Sequence, residues 1–338
     1  MDIVQICTAK IRKGNVLLNS HIYFRSYIFG TMVKGLVLKS TGSWYRVLPE
    51  NGEEVNARLK GKIRLQGLRT TNPVAVGDKV NMEEVEDGTY VISSIDPRFN
   101  CIVRKSTNLS KASHILASNL DQAILLVTVQ HPVTSNGFID RFLVSAESFQ
   151  IPTIIVFNKV DLYDEKGKDR LADLVEIYEE IGYETHQISA LEAQDVEKMK
   201  PLFQGKTTIL SGHSGSGKST LSNSLQPGLN LRIGDISDSH HKGKHTTTFA
   251  EMHPLAMGGY IVDTPGIKGF GLSGIGKEEL NHYFPEFKNL LGDCKFYNCK
   301  HLNEPKCAVM AAVEKGEVSV ARYESYLALM NDDESSYR

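Results

Sequence analysis

The sequence predicts a multidomain chain with an N-terminal β-barrel of the OB type, a central α/β domain and a small C-terminal α-helical domain. Three observations carry this expectation. Short alternating strands with turn punctuation fill residues 32–105. Strands and amphipathic helices alternate from Leu120 onward. Near the C-terminus, three cysteines and a histidine crowd between Cys294 and Cys307.

The chain has 338 residues, 41% hydrophobic and 23% charged, enough apolar material for two or three cores. The net charge of −2 confines any nucleic-acid contact to a local patch. Five cysteines, an odd number with three clustered, suggest a metal site in a reducing compartment rather than a disulfide scaffold. No apolar run approaches the roughly 18 residues that span a bilayer, and no cleavable leader is evident, so a cytoplasmic protein with no membrane partner is expected.

Residues 1–31 mix Ile, Val, Tyr and Phe with scattered charge. They read either as a loosely packed extension or as sequence upstream of a true start at Met32. Across 32–105, Gly42-Ser43, Pro49-Glu50-Asn51-Gly52, Gly77-Asp78 and Asp87-Gly88 separate short strand-like runs, the pattern of a small OB barrel. Within 55–65, Arg58, Lys60, Lys62 and Arg64 recur at period two, and Val55, Ala57, Leu59, Ile63 and Leu65 take the other phase. One strand face is then basic and the other apolar. The basic face is either solvated or turned to an anionic partner, and four like charges with no interleaved acid favour the partner. Trp44, Tyr45 and Phe99 read equally as core or as base-stacking rings.

Residues 106–118, rich in Ser, Asn and Lys, read as a linker or mobile loop. Strands are expected at 123–129, 153–157, 184–188 and 207–210, with helices at 138–149, 169–181 and 195–202. This alternation implies a mostly parallel sheet covered on both faces.

The last of these strands runs into Gly212-His213-Ser214-Gly215-Ser216-Gly217-Lys218-Ser219-Thr220, with a helix expected over 221–225. Strand, glycine-rich loop and helix in that order match the phosphate-binding P-loop, in which inward backbone N–H groups and a helix N-terminus cradle phosphate. Lys218 would reach the β- and γ-phosphates, and Ser219 would ligate Mg²⁺. Asn158-Lys159-Val160-Asp161 follows the strand at 153–157 and names the base. Asp161 can accept from both the ring N–H and the exocyclic amine of guanine, a donor pair adenine lacks. Lys159 would lie over the ring, and Asn158 would brace a neighbouring loop. Rejection of the wrong base is strong where buried polar groups would be left unpaired. Ser189 and Ala190, after the strand at 184–188, supply backbone N–H groups for the base oxygen. Downstream, Asp263-Thr264-Pro265-Gly266 ends another strand: Asp263 would hold Mg²⁺ through water, and the Gly266 N–H would sense the γ-phosphate. Residues 242–248 between them suit a mobile switch, with Thr247, then Thr246, as the threonine completing the Mg²⁺ shell. The ligands expected are therefore GTP or GDP with Mg²⁺.

Cys294, Cys299, His301 and Cys307 carry the spacing CxxxxCxH…C, which suits a tetrahedral Cys₃His structural Zn²⁺ site with no open catalytic position. Lys295, Lys300, Lys306 and Lys315 surround it. They read as RNA contacts or as solvated lysines. Helices are expected at 308–313 and 320–330, the second with Tyr323, Tyr326, Leu327 and Met330 as a core-facing stripe, and 331–338 as a frayed tail.

The order of these motifs is unusual. Ordinary GTPases carry the P-loop first and the NKxD and SA loops last, whereas here they run NKVD, SAL, P-loop, switch threonines, DTPG. With a β-barrel before and a Cys/His cluster after, the chain over residues 32–330 resembles the circularly permuted GTPases of the RsgA (YjeQ/YloQ) family. The resemblance implies GTP hydrolysis stimulated by the small ribosomal subunit, a role in its late maturation, binding to its rRNA, possible assembly-factor partners, and a monomer. It also implies that His245 positions or activates the attacking water, because Ile267 stands where Ras-like enzymes carry a Gln. With Lys218 and Thr247, His245 completes the candidate catalytic set. The implied division is 1–31 extension, 32–105 OB domain, 106–275 permuted GTPase domain and 276–338 zinc-binding domain. Two rival classes are a GTP-regulated RNA-binding module with incidental hydrolysis and a P-loop enzyme acting on a small molecule. No further catalytic constellation supports the last.

Overall fold

Alternation of buried and exposed residues decides the first unit. In a computed structural model that describes residues 32–50, 52–60, 73–85, 88–105, 113–231, 250–263 and 275–331, the chain opens with β1 (Met32–Ser40), β2 (Tyr45–Pro49), β3 (Val55–Leu59), β4 (Lys79–Glu84) and β5 (Tyr90–Ile95). They pair in the order β1-β2-β3-β5-β4, and a β1–β4 pairing closes the ring. The β3–β5 pair is parallel and the others are antiparallel. This is the OB barrel expected, and closure leaves it no free edge. Val37, Tyr45, Val47, Ala57, Val80, Met82 and Ile92 fill it.

Two expectations on the barrel change. The strand carrying the basic residues ends at Leu59, so Arg58 alone of the four lies within it, exposed beside buried Ala57. Lys60 meets an acid after all: Glu83 of β4 lies 3.1 Å from its ammonium, a partner only the folded barrel supplies. Of the three aromatics, Tyr45 is core, whereas Trp44 and Phe99 are exposed. Residues 1–31, Lys62, Arg64, 106–112, His245, Thr246, Thr247, Gly266, Ile267 and 332–338 lie outside the described residues.

The expected linker is partly a strand. β6 (Cys101–Lys105) pairs antiparallel with β7 (Ser113–Ser118), and Ala117 bridges Val76 of the barrel. The polar composition misleads because the polar groups are satisfied internally. Fully buried Asp78 accepts from Arg98 Nε and Nη2 at 2.6 Å each, from Ser118 Oγ at 2.6 Å and from the Ala75 N–H at 2.8 Å. Gly77 permits this approach, since a Cβ there would fall 2.1 Å from the Ser118 carbonyl oxygen.

The central domain follows as β8 (Gln122–Val127), α1 (Asn136–Ser148), β9 (Thr153–Asn158), α2 (Glu165–Ile181), β10 (Glu184–Ile188), α3 (Ala193–Phe203), β11 (Thr207–Gly212), α4 (Lys218–Leu225), β12 (Glu251–Pro254) and β13 (Tyr260–Asp263). The strand order is β10-β9-β8-β11-β13-β12, parallel except for β12. In β8, Ala123, Leu125 and Val127 join a core with Phe142, Leu171 and Tyr178 of α1 and α2. Ile124 and Leu126 face Val196, Met199 and Leu221 of α3 and α4. Period-two alternation thus builds two apolar layers from one continuous apolar run. Helix α2 starts at Glu165, ahead of the expected 169, because the Asp164 carboxylate caps the Gly167 N–H at 2.8 Å.

Strand β12 also pairs with β1 at Glu251 and Lys39, making the barrel and the parallel sheet one eleven-stranded sheet. Lys39 (2.7 Å) and Arg46 both pair with Glu251 across this joint.

The C-terminal part comprises α5 (Pro285–Lys288), α6 (Ala308–Lys315) and α7 (Val320–Asn331) around Leu280, Phe284, Phe287, Val309 and Tyr326. The Tyr323/Tyr326/Leu327/Met330 stripe packs in this core, as expected. Val144 of α1 joins the same core. Beside it, Arg322 of α7 is fully buried. Its Nη1 donates to Asp140 of α1 at 2.6 Å, while Nε and Nη2 donate to Glu286 at 2.7 and 3.1 Å. Tyr178 of α2 donates to the same Asp140 oxygen at 2.8 Å. Among the described residues, no helix is long and apolar enough to cross a membrane.

Candidate nucleotide site and metal centre

Three separately encoded loops meet at the C-terminal ends of β9, β10 and β11, the edge where open α/β sheets bind ligands. The P-loop turns on glycines that no other residue replaces freely. Gly212 has φ 144° with the Leu126 carbonyl oxygen 2.4 Å from a would-be Cβ. Gly217 has φ 99° with Asn158 Nδ2 at 2.2 Å. Lys218, at the start of α4, donates to the carbonyls of Gly212 (2.8 Å) and His213 (2.7 Å). Burial lowers its pKa, and Asp263 partly offsets this. Ser214 is exposed, Gly215 sits at φ 81°, and Ser219 and Thr220 lie half-buried in the first turn of α4. The Ser216 hydroxyl is buried within the loop with no hydrogen-bond partner among the described residues, a donor suited to a phosphate oxygen.

Asn158 joins the loops. Buried at the end of β9, it donates from Nδ2 to the Ser216 carbonyl (2.8 Å) and accepts at Oδ1 from the Ala190 N–H (2.9 Å). The bracing expected of it thus reaches both the P-loop and the Ser189-Ala190 loop. Lys159 holds a left-handed φ of 66° and donates to the His131 carbonyl at 2.8 Å. Val160 and Asp161 form a short 3₁₀ turn with the Asp161 carboxylate exposed. Asp263 ends β13, and burial raises its pKa, opposed by His253 and Lys218.

Several supporting residues escaped the sequence reading. The Tyr163 hydroxyl donates to the Asn158 carbonyl (2.5 Å) and accepts from the Val129 N–H (2.9 Å), fixing the turn that carries Asp161. Asp195 accepts from the Ser189 N–H at 3.0 Å, which holds its carboxyl below the usual range. Phe138 of α1 stacks on His213 of the P-loop, ring centres 3.9 Å apart. Val129 and Tyr163 lie 34 residues apart, and Phe138 and His213 lie on different elements, so no local spacing signals those contacts.

At the C-terminal end, Cys294, Cys299, His301 and Cys307 bring their ligand atoms within 4.8 Å of one another, as their spacing predicts. Burial pushes the Cys299 thiol up to about 12 and raises Cys307, so these two sulfurs ionise together only beside a cation. The donor set fits a tetrahedral N/S metal. His301 Nδ1 lies 3.3 Å from Cys307 Sγ and 3.6 Å from Cys294 Sγ, and the Asn281 amide lies 3.1 Å from Nε2. Turning the Asn281 oxygen toward Nε2 gives that otherwise unpartnered buried atom a donor and leaves the Nδ1 lone pair for a metal. Tyr323 and Tyr326 of α7 donate to the carbonyls of His301 (2.6 Å) and Lys300 (2.7 Å), clamping the ligand loop.

Comparison with known proteins matches this architecture throughout. The family model described as RsgA GTPase matches residues 95–273, and that described as RsgA N-terminal domain matches 34–92. The small ribosomal subunit biogenesis GTPase RsgA of Bacteroides fragilis is 52% identical over 307 residues, covering 90% of this chain and 99% of that protein. Its namesake from Christiangramia forsetii is 50% identical over 309 residues, covering 90% and 98%. The crystal structure of YjeQ from Thermotoga maritima superposes with a TM-score of 0.73 at 38% identity, covering 89% of this chain and 98% of that one. That of YloQ, described as a circularly permuted GTPase, gives 0.68 at 31%, covering 90% and 96%. The chain belongs to the RsgA family of circularly permuted GTPases.

Proposed function

We propose that this GTPase acts in the cytoplasm on the small ribosomal subunit, binding its rRNA and hydrolysing GTP to assist late maturation. The carrying observation is Asn158, whose amide links the P-loop to the Ser189-Ala190 loop and so makes one guanine-nucleotide site of three motifs. In this reading Asp161 and Lys159 take the base, and the Ser189-Ala190 loop lies beside it, held there because its two N–H groups donate to Asp195 and Asn158. Lys218 exchanges the Gly212 and His213 carbonyls for β- and γ-phosphate oxygens. Ser219, Thr247 and Asp263 would hold Mg²⁺, which would neutralise charge on those phosphates. Thr247, Gly266 and the water-positioning His245 lie outside the described residues, and their roles rest on motif order and family likeness. Cys294, Cys299, His301 and Cys307 would hold one structural Zn²⁺. Support for the partner comes from relatives named as small ribosomal subunit biogenesis GTPases, about half identical to this chain over nearly their whole length.

The test is GTP turnover with and without purified small subunits. Acceleration by orders of magnitude is expected, lost in His245→Ala with nucleotide binding retained. An unstimulated rate would remove the subunit from this reading.

A further inference from the structure

The metal-site loop presents a surface that nucleotide chemistry does not use. Between Cys294 and Cys299, Lys295, Phe296, Tyr297 and Asn298 are all exposed. Tyr297 is 100% exposed and Phe296 41%. The loop is pinned at its base. Cys294 Sγ accepts from the Ala308 N–H at 3.4 Å, and the Lys295 N–H donates to the Lys306 carbonyl at 3.3 Å. The neighbouring core is already closed by the buried rings of Phe284, Phe287 and Tyr326, so the two exposed rings have no place within it. Single exposed aromatics are ordinary, but an adjacent pair on a pinned loop calls for a partner.

Charge indicates which partner. The Lys295 ammonium lies 5.2 Å from the Phe296 ring centre, and none of Lys295, Lys300 and Lys306 has an ion-pair partner among the described residues. Of the acids nearest in sequence, Asp293 is exposed and makes no ion pair with these lysines among the described residues, and Glu304 turns inward. Its carboxylate accepts from the N–H groups of Lys300 (2.9 Å), Leu302 (2.8 Å) and Asn303 (3.1 Å). Tyr297, Asn298 and Lys300 also line a cleft of about 240 Å³ that continues to Lys277 and His282. Flat rings beside unpaired cations, on a loop that loses little entropy on binding, suit an unstacked base with flanking phosphates better than an apolar protein surface.

We propose that this loop is a contact for single-stranded RNA, with an unpaired base on Tyr297 and phosphates on Lys295, Lys300 and Lys306. The proposal rests on the RNA-binding reading above and adds where and how a strand is held.

The test uses the full-length, zinc-loaded protein and a short unstructured RNA bearing 5-bromouridine. Photocross-linking should map to the peptide containing Tyr297, and Tyr297→Ala should abolish that cross-link. Because stacking one base is worth about 1–3 kcal/mol, affinity should fall about tenfold. The salt slope should stay unchanged in Tyr297→Ala, and Tyr297→Phe should restore binding. Exchanging the three lysines for Gln should instead flatten the slope by about 2, at roughly 0.7 per phosphate contact. Zinc content is measured in every variant. If subunit-stimulated turnover persists while affinity and slope stay at wild-type values in all variants and no cross-link appears in the loop, this proposal falls, the parent reading stands, and the rings face a protein. If stimulation and RNA binding are both absent, the parent reading and this proposal fall together.

Discussion

Asn158 and Asn281 are short amides in corresponding positions at two different sites: each makes one pair of contacts that orients a loop or a ligand. Asn158→Ala leaves the Ser216 carbonyl and the Ala190 N–H without their partner, at about 1–3 kcal/mol for each group left buried. GDP affinity should fall at least tenfold, measured by fluorescent-nucleotide titration. Affinity within twofold of wild type would show that the P-loop holds its shape unaided. Asn281→Leu removes the acceptor for His301 Nε2–H, and such changes weaken metal binding about 10–100-fold. Chelator competition should show the loss, and Asn281→Asp, which keeps the acceptor, should prevent it. Both metal-ligand spacing and NKVD were legible in the sequence because their chemistry dictates residue types within a few positions. Asn281 and Tyr163 were not, since their partners His301 and Val129 lie 20 and 34 residues away.

Among elements, α1 carries the most tertiary responsibility. Near its start Phe138 stacks on the P-loop, two residues later Asp140 pairs with Arg322 of α7, and Val144 enters the C-terminal core. Arg322→Met would strand Asp140 without its cation in a buried site, a loss of about 3–5 kcal/mol. Urea midpoints should drop accordingly, and Asp140→Asn added to Arg322→Met should recover part of the loss. An additive double variant would deny the pairing its role. The sequence marked α1 by its apolar period but gave no sign of this joint, whose two members stand 182 residues apart. It also misassigned β7, because the segments that make it a strand, β6 and Val76 of the barrel, lie outside it in the chain. Helix boundaries were legible only where a cap stood out, and Asp164 was hidden among the charges of 161–168.

At the scale of the molecule, the three parts are joined by specific contacts as well as by chain. The barrel meets the nucleotide sheet through Glu251 of β12, which pairs with Lys39 and Arg46 and stands opposite Asp263 in the ladder. Helix α7 links the metal loop to the nucleotide domain, since Tyr323 and Tyr326 clamp the ligand loop while the preceding Arg322 holds Asp140. Chelation of the metal should therefore destabilise the nucleotide domain as well, and calorimetry should show a single transition moving to lower temperature. Two separate transitions, with only one moved by chelator, would show the parts to be energetically independent. The buried Arg322 has a further consequence, in time rather than space. Synthesis runs from the N-terminus, and domains ordinarily fold in that order. Here the cation that lets Asp140 stay buried is made 182 residues after it. Until it arrives, desolvating that carboxylate costs several kcal/mol, so the inner face of α1 stays hydrated while α2 and the sheet are already complete. Helix α1 of the GTPase domain thus closes only after α7, far downstream of it, has been made.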